Sequence, residues 1–174
     1  TYRQMARYTE ALADYNQALT LDPDYAQAYY NRGNTYYQLE SYEQALADHT
    51  RALALEPDSA GAYNNRGNTY NKLQQYAEAL ADYTRALQLD PSYAQAYNSR
   101  GITYTKLQRY AEALADFDRA IQIDPAYANA YYNRAKAQVA LARYDQVLAD
   151  YTHVLQLKPN DPATYAERAQ IYEH

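Results

Sequence analysis

Asparagine and lysine are the residues of this chain whose placement could do chemistry. Nine of the eleven asparagines and three of the four lysines fall on 24 positions that recur along the sequence, and none of the 21 Asp and Glu residues does. Those positions are Gln27, Tyr30, Asn31, Asn34, Tyr37 and Gln38, then Gly61, Asn64, Asn65, Asn68, Asn71 and Lys72. They continue with Gln95, Asn98, Ser99, Ile102, Thr105 and Lys106, then Asn129, Tyr132, Asn133, Lys136, Val139 and Ala140. A carboxamide offers both an acceptor and a donor, so a row of them can satisfy a peptide backbone whatever its side chains. Lysines with no carboxylate opposing them draw carboxylates or phosphates through charge-assisted bonds. This is the chemistry of recognition. For bond-breaking the sequence offers no nucleophile beside a base, no glycine-rich phosphate loop and no carboxylate cluster outside solvated helix faces. His49, His153 and His174 are scattered, and none has a second ligand at metal-binding spacing. No cofactor, metal or enzymatic activity is expected.

A regular scaffold must carry these positions, because they recur every 34 residues. Residues 60–93 and 94–127 align without a gap and agree at 24 of 34 places, a period that marks a stacked repeat array. Full units are 26–59, 60–93, 94–127 and 128–161, with 1–25 the rear of an earlier unit and 162–174 the front of a fifth. Pro23, Pro57, Pro91, Pro125 and Pro159 share one phase, where the missing amide donor ends a helix. Pro162, after Asp161 as a cap, suits the first turn of the next helix. Between prolines each unit reads as two helices, for example Tyr63, Arg66, Gly67, Tyr70 and then Ala79, Leu80, Tyr83, Ala86, Leu87. A hairpin of two short helices cannot bury its apolar face alone, so neighbours must stack.

The columns of Tyr63, Gly67, Tyr70, Ala79, Tyr83, Ala86 and Pro91 resemble the signature of the tetratricopeptide repeat over the whole chain. The resemblance implies an all-α solenoid, a right-handed superhelix whose first helices line a concave groove. The 24 positions above are those expected to face it. The Asn31, Asn65, Asn133 column is similar to the asparagine ladder of O-linked N-acetylglucosamine transferases, with Ser99 breaking it. The family's carboxylate clamp is not matched, since Tyr30, Gln95 and Ser99 stand where two Lys and an Arg should be. Two departures stand out. The turn between helices lacks the family's Gly, having Glu40, Gln74, Gln108 and Ala142. The fourth unit replaces Gly by Ala135, an aromatic by Gln138 and two alanines by Val147 and Val154, which makes it the least regular in packing.

Other columns read as internal. Arg32, Arg66, Arg100, Arg134 and Arg168 occupy a place where the family more often has Leu, and Asp14, Asp48, Asp82, Asp116 and Asp150 recur on the second helices. A cation in a packing column needs a partner; Arg32–Asp48, Arg66–Asp82, Arg100–Asp116 and Arg134–Asp150 are expected to pair inside each hairpin, with pairing to the following unit, Asp14–Arg32 onward, as the alternative. Of 24 tyrosines, 21 fall in packing columns; Tyr30, Tyr37 and Tyr132 face the expected groove. Four of the ten differences between the central units fall on groove columns, including Asn68/Ile102. The expectation is that packing stays fixed while the groove varies with the ligand.

Composition bounds the rest. The 174 residues carry a net charge of −5 and no cysteine, which excludes disulfides and thiolate metal sites without choosing a compartment. The acidic balance gives no general reason to expect nucleic acid, and no apolar run approaches a membrane span. Opening on Thr1 inside a repeat, the chain reads as a fragment of a longer protein. The expected function is a protein-interaction scaffold binding an extended, acidic peptide in the Asn/Lys groove. The alternatives are head-to-tail self-assembly through the terminal helices, or the substrate-docking arm of an enzyme whose catalytic domain lies elsewhere.

Overall fold

The computed structural model describes residues 2–173, with side chains from Arg7 onward; the Tyr2 side chain and His174 lie outside the described residues. Ten α-helices and no strand make up the described chain. They are α1 (Tyr2–Leu21), α2 (Ala26–Gln38), α3 (Tyr42–Leu55), α4 (Ala60–Lys72), α5 (Tyr76–Leu89), α6 (Ala94–Lys106), α7 (Tyr110–Ile123), α8 (Ala128–Val139), α9 (Tyr144–Leu157) and α10 (Pro162–Tyr172). The helices fall into two compact units, Thr1–Pro91 and Ser92–His174. In each, helical hairpins stack side by side, the all-α solenoid class expected from the period.

Every hairpin closes with the same cap. At the end of α2, the Glu40 amide donates to Tyr37 O (3.0 Å) and the Ser41 amide to Tyr36 O (2.9 Å). The same pair of bonds recurs at Gln74 and Gln75, at Gln108 and Arg109, and at Ala142 and Arg143. This is a Schellman cap, whose penultimate residue takes a left-handed conformation that glycine adopts most cheaply. Glu40, Gln74, Gln108 and Ala142 have φ of 59°, 61°, 58° and 54°, so all four bear a steric cost the family's Gly avoids. At the other turn, Pro23, Pro57, Pro91, Pro125 and Pro159 follow the helix ends directly or within two residues.

Small residues let the helices of a hairpin approach. A Cβ added to Gly67 would lie 2.8 Å from Tyr83 Cε1, and one added to Gly101 would lie 2.7 Å from Phe117 Cε1. In the fourth hairpin Ala135 carries that Cβ, and Ala135, Val147, Tyr151 and Ile171 pack as one cluster. Tyr151 sends its hydroxyl forward to Glu167 Oε2 of α10 (2.6 Å), whereas Tyr83 sends its hydroxyl back to Asn68 Oδ1 (2.9 Å).

The predicted ion pairs form in all four hairpins. Arg32, Arg66 and Arg100 each donate from Nε and Nη2 to one carboxylate, that of Asp48, Asp82 and Asp116, at 2.7–2.8 Å. Arg134 does the same with Asp150, its Nε–Oδ2 bond being 2.9 Å. These aspartates are nearly buried, and hydrogen bonding to them raises the guanidinium pKa of each arginine despite desolvation. A bidentate fork of this kind fixes the angle between two helices as well as their distance. The same arginines lie over the ring three residues earlier: Arg32 over Tyr29 (5.4 Å), Arg66 over Tyr63 (5.5 Å), Arg100 over Tyr97 (5.7 Å) and Arg134 over Tyr131 (5.5 Å). That contact explains why this column is tyrosine: its face receives the cation.

α1 runs unbroken through the phase at which the other hairpins turn. One expectation fails locally. Asp161 occupies the N-cap of α10 without capping a backbone amide; its carboxylate accepts from the Thr164 hydroxyl at 2.6 Å.

Candidate functional site

In the first unit, α2 and α4 lie side by side and bring several of the predicted groove residues together. The Asn65 carboxamide donates to Tyr30 Oη (3.0 Å) and to Asn34 Oδ1 (2.8 Å), and its oxygen accepts from Asn64 Nδ2 (3.2 Å). His49 of α3 stands behind them, fully buried, with Nε2 3.1 Å from Asn34 Oδ1 and Nδ1 3.4 Å from Thr69 Oγ1. Because Asn34 Oδ1 accepts, the ring carries a proton on Nε2. Burial, with Arg66 nearby, holds its pKa down to about 4. In the next hairpin this place is filled by Tyr83. His49 is a shorter ring, and a cavity of about 320 Å³ opens beside it, lined by Asn34, Tyr37, Gln38, His49, Asn65 and Asn68.

Tyr37 closes one side of this cavity, held edge-on against Tyr42 with ring centroids 5.6 Å apart. Gln27 donates to Asn31 Oδ1 at 3.0 Å, at the start of the same helix. Lys72 is exposed one helical turn beyond Asn68. Asn64 and Asn71 are buried, whereas Tyr30 and Tyr37 in the same two columns are half-buried.

The second unit uses the same columns differently. Asn133 Nδ2 donates to Asn98 Oδ1 at 2.9 Å, and Asn98 is buried. Asn129 Oδ1 accepts from Lys158 Nζ at 2.9 Å. Ser99 is half-buried and its carbonyl accepts from Thr103 at 3.0 Å; Lys106 is exposed. The expectation of unopposed lysines fails at Lys136. Its ammonium lies 3.4 Å from Glu167 Oε1, which also accepts from Tyr132 Oη at 2.6 Å. Glu167 sits on α10 in the ladder column that holds Asn31, Asn65, Ser99 and Asn133 in the other units, so the fifth unit brings its own carboxylate to this place. Burial and the Glu167 carboxylate push the Tyr132 phenol up to about 12. Burial opposes ionisation of Glu167, but hydrogen bonds from Tyr132 and Tyr151 and the charge of Lys136 bring its pKa below the usual value.

A rule emerges within each unit: a ladder residue bonds to the residue 35 positions before it, as in Asn65–Tyr30, Asn133–Asn98 and Glu167–Tyr132. The ladder therefore stitches neighbouring hairpins. A second rule qualifies the expectation that packing stays fixed while the groove varies. His49 meets Asn34 and Tyr83 meets Asn68, each 15 positions back, while Phe117, which has no polar tip, packs with Ile102. The Asn68/Ile102 and Tyr83/Phe117 differences are thus one change. The signal was present in the sequence as two substitutions 15 residues apart.

No group of three or more His, Cys, Asp or Glu residues that could hold a metal occurs among the described residues, and none of their helices is long and apolar enough to cross a membrane. Profiles of the tetratricopeptide repeat match residues 26–59, 60–93, 94–127 and 128–161, and a TPR-repeat profile matches 1–40. No curated protein matches. Among solved structures, a thermophilic TPR protein of Thermus thermophilus is similar at 23% identity and a TM-score of 0.81, covering 99% of this chain and 94% of that one. YrrB, a TPR protein with an unusual peptide-binding site, is 26% identical with a TM-score of 0.76 over 96% of this chain and 86% of its own. The first TPR of Spaghetti (RPAP3), solved with the HSP90 peptide SRMEEVD, is 31% identical with a TM-score of 0.64, covering 66% of this chain and 93% of that one. Tetratricopeptide proteins generally mediate protein–protein interaction and are generally not enzymes. The chain belongs to the tetratricopeptide repeat family.

Proposed function

We propose that the chain is a non-catalytic interaction scaffold whose first unit binds an extended acidic segment across α2 and α4. The observation that carries this is the cavity beside His49, bounded by five residues the sequence places on the groove: Asn34, Tyr37, Gln38, Asn65 and Asn68. Its walls are carboxamides, a phenol and the His49 imidazole, with no carboxylate, so it suits a peptide carbonyl or a short polar side chain. Lys72, one turn along, supplies a charge-assisted bond to an acidic residue further down the segment. The SRMEEVD peptide on the Spaghetti domain carries three acidic residues, which supports the ligand class. Capture of a chain terminus in the manner of a carboxylate clamp is not part of the reading, since Tyr30 and Ser99 stand in place of its cations.

Selection from a random-peptide phage library against the full chain tests this. Recovered sequences should be rich in Asp and Glu. Lys72→Glu should weaken their binding by at least about tenfold, since one charge-assisted bond of ~1.5–3 kcal/mol becomes a repulsion, with the melting temperature unchanged. Peptides without acidic enrichment, or binding indifferent to Lys72→Glu, would contradict the reading.

A further inference from the structure

Within the second unit, two hairpins treat one place differently. In the α6–α7 hairpin the ring of Tyr104 lies between two guanidinium groups, 4.6 Å from Arg109 Cζ and 5.9 Å from Arg100 Cζ. The α8–α9 hairpin keeps both cations as Arg143 and Arg134 but has Gln138 in place of the ring. Where the phenol would sit there is a cavity of about 390 Å³, lined by Arg134, Gln138, Arg143, Asp118, Asp150 and Gln146 among others. Gln138 is 6% exposed, and its Oε1 is buried with no hydrogen-bond donor among the described residues. A buried carbonyl without a donor is a standing cost to the fold.

We propose that this cavity is a binding site for a tyrosine side chain presented by a partner protein. It lies off the groove columns and does not depend on the reading above. The wall chemistry selects the ligand. Asp118 and Asp150 already neutralise Arg134 and would repel an incoming carboxylate. An aliphatic side chain would leave the Gln138 oxygen unpaired. A phenol presents a π face to Arg143 and Arg134, as Tyr104 does to Arg109 and Arg100. Its O–H donates to the Gln138 carboxamide oxygen, which a turn about the last side-chain torsion brings to the cavity wall.

The probes are p-cresol, toluene and N-acetyltyrosinamide, each titrated into the full chain and followed through the Gln138 and Arg143 side-chain resonances by NMR. Saturable binding of p-cresol and N-acetyltyrosinamide is expected, with toluene at least about tenfold weaker for want of the hydrogen bond. Gln138→Tyr fills the cavity with the residue found there in the three preceding repeats, and should abolish binding while keeping the helical spectrum. If that variant does not fold, Arg143→Ala, at an exposed position, should weaken p-cresol about fivefold or more by removing one cation from the ring face. Unsaturable p-cresol, toluene binding equal to p-cresol, failure of N-acetyltyrosinamide, or binding undiminished in the variants would overturn the proposal.

Discussion

The repeats 60–93 and 94–127 carry the same frame and differ at a linked pair of places. Both have the Arg–Asp fork, the left-handed turn residue and the Gly under an aromatic ring. In the first, Tyr83 donates to Asn68; in the second, Phe117 packs against Ile102. The groove-facing side chain and the packing ring behind it change together. The lesson is that a polar residue on the predicted groove columns does not by itself report a ligand: the helix behind it has the first claim on its hydrogen bonds.

The shared frame can be broken first. Asp82→Ala and Asp116→Ala each take the bidentate carboxylate away from a largely buried guanidinium and should cost about 3–5 kcal/mol in a urea melt. The two losses should match, because the forks have the same geometry; a loss near zero in either would remove the fork from the frame.

The α2–α3 hairpin extends the comparison with a third ring. His49 has a pKa depressed to about 4 in the folded chain, so as pH falls through the unfolded value near 6.5 the unfolded state takes up a proton that the folded state refuses. Stability should therefore drop between pH 6.5 and 4, by roughly 3 kcal/mol at the acid end. His49→Gln should flatten that part of the profile relative to the parent, measured by chemical denaturation. A parallel pair of profiles would place His49 in a wetter setting than the one described.

Much of this frame was legible in the sequence. The 34-residue period set the helix pairs, the prolines set their ends, and an arginine in a packing column required the aspartate it meets. The site was less legible, for a physical reason. A carboxamide can serve a bound peptide or the next helix with the same atoms, and only geometry shows that Asn65 is committed to Tyr30, Asn34 and Asn64 while Asn64 itself is buried. Lys136 looked unopposed because its partner, Glu167, arrives from a helix belonging to the following repeat. Gln138 was visible as an irregularity, but that it leaves two arginines flanking an empty place required the packed structure.

Smaller effects sharpen the comparison. Gln74 and Gln108 sit at φ 61° and 58°, so Gln74→Gly and Gln108→Gly should each stabilise by about 1 kcal/mol by relieving a left-handed conformation. Thermal melts should show equal gains; a loss in either would mean that the side chain holds its turn.

The central claim is that differences along the predicted groove columns are answered by the packing column behind them. A double-mutant cycle at Asn68 and Tyr83 tests it most directly. Asn68→Ile alone removes the Asn68 acceptor of the Tyr83 hydroxyl, and Tyr83→Phe alone removes the Tyr83 donor to the Asn68 oxygen, each costing about 1–2 kcal/mol. The double variant reproduces the pair already present at Ile102 and Phe117, and the account predicts that it regains most of the loss, a coupling of about 1 kcal/mol or more. Strictly additive losses would contradict it.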